Sequence, residues 1–174
     1  MIGHVQGRKA KTILSHFHYL HSLDSTRLAD RLIRPEHTNK NPLPVLLQCN
    51  VSGEQSKHGF VADNFQQDAI QWNLLTTKIE ALLDKPTLSI RGLMTMAPLL
   101  PRPEQARPSF HRLRDLRDKL ALHFPMAQWP ELSMGMTDDF DIAIEEGATI
   151  IRVGTAIFGQ RPSTQYTPHN ISKS

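Results

Sequence analysis

Short apolar runs alternate along this chain with stretches whose apolar residues recur at helical spacing, and that alternation constrains the fold more than any other feature. Successive parallel strands need a crossover, and a helix is the usual one, so the pattern predicts an α/β protein with a parallel sheet. Strands are expected at residues 2–6, 18–23, 44–51, 88–96, near Leu132 and at 149–153. Between them lie apolar stripes: Leu28, Ala29, Leu32 and Ile33 behind a cap at Asp24 or Ser25; Phe65, Ala69, Trp72, Ile79 and Leu83; and Phe110, Leu113, Leu116 and Leu120. Asp138 and Asp139 favour the start of a further helix, and residues 155–158 begin a last one. A strand–helix unit of an α/β barrel takes about 30 residues and closure takes eight units. The 174 residues therefore predict a partial TIM-type (β/α) barrel with about six of the eight βα units. A barrel domain is expected over residues 1–160 and a polar tail over 161–174, with the Pro-rich stretches 34–44 and 98–108 as loops inside the domain.

Charge and cysteine content narrow the function classes. The net charge is +3, and the basic residues are interleaved with acids, as in Arg112-Leu113-Arg114-Asp115-Leu116-Arg117-Asp118-Lys119, which reads as a solvated helix face. Arg8-Lys9-Ala10-Lys11 is denser but has no stacking aromatics beside it, so nucleic acid is not an expected partner. The single cysteine, Cys49, lies inside an apolar run, reads as an inert core thiol, and fits a reducing compartment. With no apolar run near ~18 residues and no hydrophobic leader core, no membrane partner is expected; the expectation is a cytoplasmic monomer.

Chemistry concentrates in two segments, Ser133-Met134-Gly135-Met136-Thr137-Asp138-Asp139 and Arg152-Val153-Gly154-Thr155-Ala156-Ile157-Phe158-Gly159. Each joins an apolar run to small and hydroxyl residues. At strand carboxyl ends the Ser133 and Thr137 hydroxyls and the backbone N–H groups of Gly135, Gly154 and Thr155 would converge on an anion such as phosphate. Either segment alone is equally well read as a tight turn; the pair favours a ligand. His16, His18 and His21 do not suggest a metal, because His18 and His21 point to opposite faces of a strand and no cysteine or acid completes the set. Met94, Met96, Met134 and Met136 read as core filling.

The two segments closely resemble the signature of the pyridoxal phosphate homeostasis proteins. Ile2-Gly3-His4-Val5-Gln6 is similar to that family's third strand, His21-Ser22-Leu23-Asp24 to its fourth, Asn50-Val51-Ser52 with Ser56-Lys57-His58-Gly59 to its fifth and the loop after it, and Ile90-Arg91-Gly92-Leu93-Met94-Thr95-Met96 to its sixth. The resemblance implies a barrel like the alanine racemase N-terminal domain, with pyridoxal 5'-phosphate (PLP) at the strand carboxyl ends and no catalytic residue. Carried over by motif, Ser133, Gly135, Met136, Thr137, Gly154 and Thr155 would hold the phosphate, and Arg152 would face the pyridine nitrogen. A permanent cation there keeps that nitrogen unprotonated and makes the cofactor a weaker electron sink than an acid would. The family's Schiff-base lysine lies on its first strand, whereas this chain resembles it from the third onward, so non-covalent holding of PLP is expected. Lys57, just after the third expected strand, is the one lysine placed to face the ligand mouth, but it reads rather as a surface lysine opening a helix, without a depressed pKa. The expected role is PLP binding in vitamin B6 homeostasis; the alternatives are a PLP-dependent racemase or lyase, which would need a lysine and an acid–base partner, and a phosphate- or nucleic-acid-binding module.

Overall fold

The computed structural model describes residues 1–32 and 42–159. Six strands run parallel: β1 (Leu20–Leu23), β2 (Leu43–Asn50), β3 (Phe60–Val61), β4 (Leu88–Met94), β5 (Glu131–Met136) and β6 (Ile150–Arg152). Five pair in the order β1-β2-β4-β5-β6, and the two-residue β3 pairs with the carboxyl end of β2. Helices α2 (Thr26–Leu32), α3 (Ala69–Leu83), α4 (Arg107–His123) and α5 (Phe140–Glu145) make the crossovers, while α1 (Ala10–His16) precedes β1 and α6 (Thr155–Phe158) follows β6.

The sheet curls into part of a barrel. In a flat sheet at ~4.8 Å spacing, β1 and β5 would stand about 14 Å apart with two strands between them. Instead His21 on β1 lies 3.1 Å from Ser133 on β5, and the Tyr19 hydroxyl donates to Glu131. These contacts cross the concave face, which holds polar side chains. The convex face packs under the helices through Leu28, Leu75, Ile79, Leu82, Phe110, Leu113 and Leu116, all buried.

Local chemistry accounts for most boundaries. Ser25 caps α2, its hydroxyl accepting from Leu28 N at 3.2 Å. The α3 helix starts at Ala69 rather than near Phe65 because Asp68 accepts from Ile70 N and Gln71 N. Phe65 is buried ahead of the helix, and its carbonyl receives the Lys119 ammonium at 3.0 Å.

Two expectations are corrected. Residues 2–6 are no strand: Gly3 sits at φ +96°, outside the strand conformation, although Ser22 Oγ still donates to Gly3 O at 2.6 Å. Conversely, β3 and α1 have no counterpart among the expected elements: β3 is too short to show a period, and α1 opens on a basic cluster. Ile33 and the 161–174 tail lie outside the described residues. Among the described residues, no helix is long and apolar enough to cross a membrane.

Glu146, at the end of α5, ties that helix to α4. It accepts from Arg107 at 3.0 Å, pairs with Arg114 at 3.0 Å and lies 3.3 Å from His111 Nδ1. Burial acts to raise its pKa, but the Arg107 and His111 hydrogen bonds and the Arg114 charge outweigh it and hold the carboxyl below its usual value. A carboxyl depressed in the folded state stabilises fully above its unfolded pKa of about 4.3 and loses that contribution as pH falls through the folded value. Below pH 4.3 the thermal midpoint of the native chain is therefore expected to fall faster than that of Glu146→Gln, and differential scanning fluorimetry across that range checks it. Parallel pH profiles would remove Glu146 as the acid-sensitive tie.

Candidate functional site

The sheet brings the two signature segments together at the carboxyl ends of β5 and β6, where parallel sheets place ligands. Two groups of side chains form there. In the first, Arg152 Nη1 donates to Ser133 Oγ and Arg152 Nη2 to the Thr95 carbonyl, both at 2.8 Å. Ser133 is fully buried, and its Oγ also lies 3.1 Å from His21 Nδ1. A hydroxyl can accept twice, so the direction of the Ser133–His21 hydrogen bond is set by the imidazole tautomer. Burial is the main cause of the low His21 pKa, with nearby positive charge including Arg152 adding to it, so the ring is neutral. Burial also lowers the Arg152 pKa, partly offset by Asp139. Arginine starts so far above neutrality that it stays cationic.

In the second group, Thr137 Oγ1 faces the backbone N–H groups of Gly154 and Ala156, each at 3.4 Å. An added Cβ at Gly154 would meet nothing within 4 Å, so that backbone is open to a ligand. These long hydrogen bonds and the open glycine suit an incoming anion.

The remaining motif residues behave differently. Gly135 lies at φ +86°, and a Cβ there would come within 2.5 Å of the Ala143 side chain, so this glycine lets α5 pack on β5. Met136 N donates to Asp139 Oδ1 at 2.6 Å and its half-exposed side chain lines a neighbouring cleft with Leu100 and Asp138. Thr155 is exposed at the start of α6 and its carbonyl caps the turn by accepting from Gly159 N. Met94 and Met134 are buried in the core. Cys49 is wholly buried, and burial pushes its thiol pKa up to about 12, as an inert core position requires.

Lys57 departs from the reading of its sequence. It lies in the loop between β2 and β3 and opens no helix. Its ammonium donates to Met96 O at 2.9 Å and sits 3.6 Å from Glu54, and burial lowers its pKa against the pull of Glu54. Sequence reasoning also missed Tyr19, which donates to Glu131, itself 3.5 Å from Arg91. Burial is the first cause of the raised Tyr19 pKa and the Glu131 hydrogen bond the second. The available signal was spacing: Tyr19 with His21 and Glu131 with Ser133 are polar residues two apart, which places each pair on one face of its strand.

A family profile described as the alanine racemase N-terminal domain matches residues 1–162. The pyridoxal phosphate homeostasis protein of Aquifex aeolicus is 41% identical over 160 residues, covering 92% of this chain and 65% of that protein. The chain thus spans just under two thirds of the length of that curated relative. PipY of Synechococcus elongatus, solved without PLP, superposes with a TM-score of 0.78 at 33% identity, covering 91% of this chain and 69% of PipY. The PLP-bound form of PipY superposes at 0.76 with the same coverage and 32% identity. D-threonine aldolase from Filomicrobium marinum shares the fold at a TM-score of 0.62 with 15% identity, covering 87% of this chain and 41% of the enzyme.

Proposed function

We propose, on the premise that this chain belongs to the alanine racemase N-terminal domain family and within it to the pyridoxal phosphate homeostasis proteins, that it binds PLP by the phosphate end and serves its homeostasis without catalysing a reaction. The observation that carries this reading is the pairing of a half-buried cation with an open anion clamp: Arg152 bonded to Ser133 and Thr95, beside Thr137 facing the Gly154 and Ala156 amides.

The residues present fit the group. Phosphate would take the Gly154 and Ala156 N–H groups and the Thr137 hydroxyl, with the Thr155 backbone beside them; Gly135 sets α5 in place and Met136 flanks the cleft. Ser133 would act through Arg152, whose guanidinium it helps to fix toward the pyridine nitrogen. Bound PLP supplies an aldehyde and an electron-withdrawing ring, and a fixed cation at the ring nitrogen damps the latter. Lys57, already engaged with Met96 and Glu54, is not assigned to the cofactor. The cofactor is held without a covalent bond, and PLP is the partner proposed for a monomer.

Titrating the purified chain with PLP and with pyridoxal tests the assignment. PLP should bind saturably and pyridoxal at least about 10-fold more weakly, since charge-assisted hydrogen bonds to phosphate would carry the affinity. Borohydride treatment of the loaded chain should leave its intact mass unchanged. Equal affinities would sink the phosphate clamp, and a reduced lysine adduct would overturn non-covalent holding.

A further inference from the structure

Away from the phosphate clamp, three chain segments bring potential metal ligands together. His4 comes from the irregular amino-terminal segment, Asp24 from the turn between β1 and α2, and His58 from the loop between β2 and β3. One ligand atom from each lies within 4.8 Å of the other two. We propose that His4, Asp24 and His58 form a binding site for a borderline divalent cation of the zinc class.

The site is built rather than incidental. His4 Nδ1 lies 3.0 Å from Asp24 Oδ2, while Asp24 Oδ1 accepts from Ser25 Oγ at 2.9 Å. Ser25 in turn caps α2, so the carboxylate is fixed by the fold. The Asp24 side chain is only 9% exposed. On the other side, Gln48 Nε2 donates to His58 O at 3.0 Å. Gly59, at φ +128°, brings the loop so close to β2 that a Cβ would come within 2.6 Å of Gln48 O. The backbone carrying His58 is thus anchored while its exposed imidazole can turn.

The His4 and His58 rings are stacked, with centroids 4.2 Å apart and planes 17° from parallel. Both rings cannot hold one ion in their planes while stacked face to face, so loading swings the exposed His58 ring. The movement is small: donors on a tetrahedral zinc ion with ~2.1 Å bonds stand about 3.4 Å apart. Two imidazoles and one carboxylate match zinc, cobalt or nickel and leave a coordination position open. The same cleft, about 480 Å³, is lined by Arg27, Arg31 and Lys57. Their charge opposes any cation, so binding rests on the two imidazoles, and hard, oxygen-seeking cations, to which the trio offers only Asp24, are the less favoured.

The test uses the tag-free full chain in buffer free of PLP and phosphate, titrated with Zn²⁺ by calorimetry and with Co²⁺ by visible absorbance. About one equivalent of each should bind, with Mg²⁺ giving no heat. His58→Ala should weaken Zn²⁺ binding at least about 10-fold, as should Asp24→Asn, whereas His16→Ala/His18→Ala should bind like the native chain. Circular dichroism confirms that each variant is folded, and exposed His58 carries the test if Asp24→Asn is not. Absence of heat and of cobalt absorbance in the folded chain, or binding that survives His58→Ala, would overturn the site.

Discussion

Gly92→Ala is expected to lower the urea midpoint of this chain far more than a replacement at any open glycine. Gly92 sits in the middle of β4 at φ +151°, and an added Cβ would come within 1.9 Å of the Glu131 carbonyl oxygen and 2.7 Å of its carbon on β5. Those are backbone atoms of a hydrogen-bonded neighbour and cannot swing aside, so β4 and β5 would have to part. The cause lies in the register. Along β2 and β4, Val45 pairs with Ile90 but Leu46 with Gly92, so Arg91 is an extra residue and the strand bends there. The bend turns the sheet toward closure and makes its next residue approach β5 too closely for any side chain. The cost is on the order of 4 kcal/mol or more, a large share of the ~5 to 15 kcal/mol by which domains are stable. Urea unfolding of Gly92→Ala beside Gly3→Ala checks it. Gly3 also has a positive φ, +96°, but nothing within 4 Å, so its replacement should cost only about 1 kcal/mol. Similar midpoints for the two variants would refute the steric account.

How far the sequence could be read depended on the range of the interaction involved. The α4 stripe of Phe110, Leu113, Leu116 and Leu120 and the apolar run of β2 were legible because periodicity is local, and each packs as its period requires. The two-residue β3 carries no period, and Gly3 breaks a segment that otherwise reads as a strand. At the site, the motif located Ser133 and Arg152 but not their partners. His21 reaches Ser133 across the concave face over a separation of 112 residues, and Thr95 contributes a backbone carbonyl that any residue would supply. His4, Asp24 and His58 escaped for the same reason: their spacing along the chain resembles no ligand motif, and only the curl of the sheet collects them. Gly135 was legible as a required glycine but not for its purpose, which is helix packing.

Arg152→Gln is expected to lower PLP affinity by about 10- to 100-fold, the range that losing a charge-assisted hydrogen bond in a desolvated site implies. Glutamine retains a donor for Ser133 or Thr95, so the variant should fold, and circular dichroism with an unfolding curve checks that. Ser133→Ala removes no charge; it leaves Arg152 without one of its two fixed acceptors and removes the hydrogen-bond partner of His21 Nδ1. Its affinity loss should be smaller, about 3- to 10-fold. Because Ser133 is assigned to act through Arg152, the double variant should bind no more weakly than Arg152→Gln alone, a coupling that independent contacts would not produce. Additive losses would assign Ser133 directly to the ligand. An Arg152→Gln chain that folds and binds PLP with native affinity would remove the guanidinium from the site and leave only the clamp formed by Thr137 with the Gly154 and Ala156 amides.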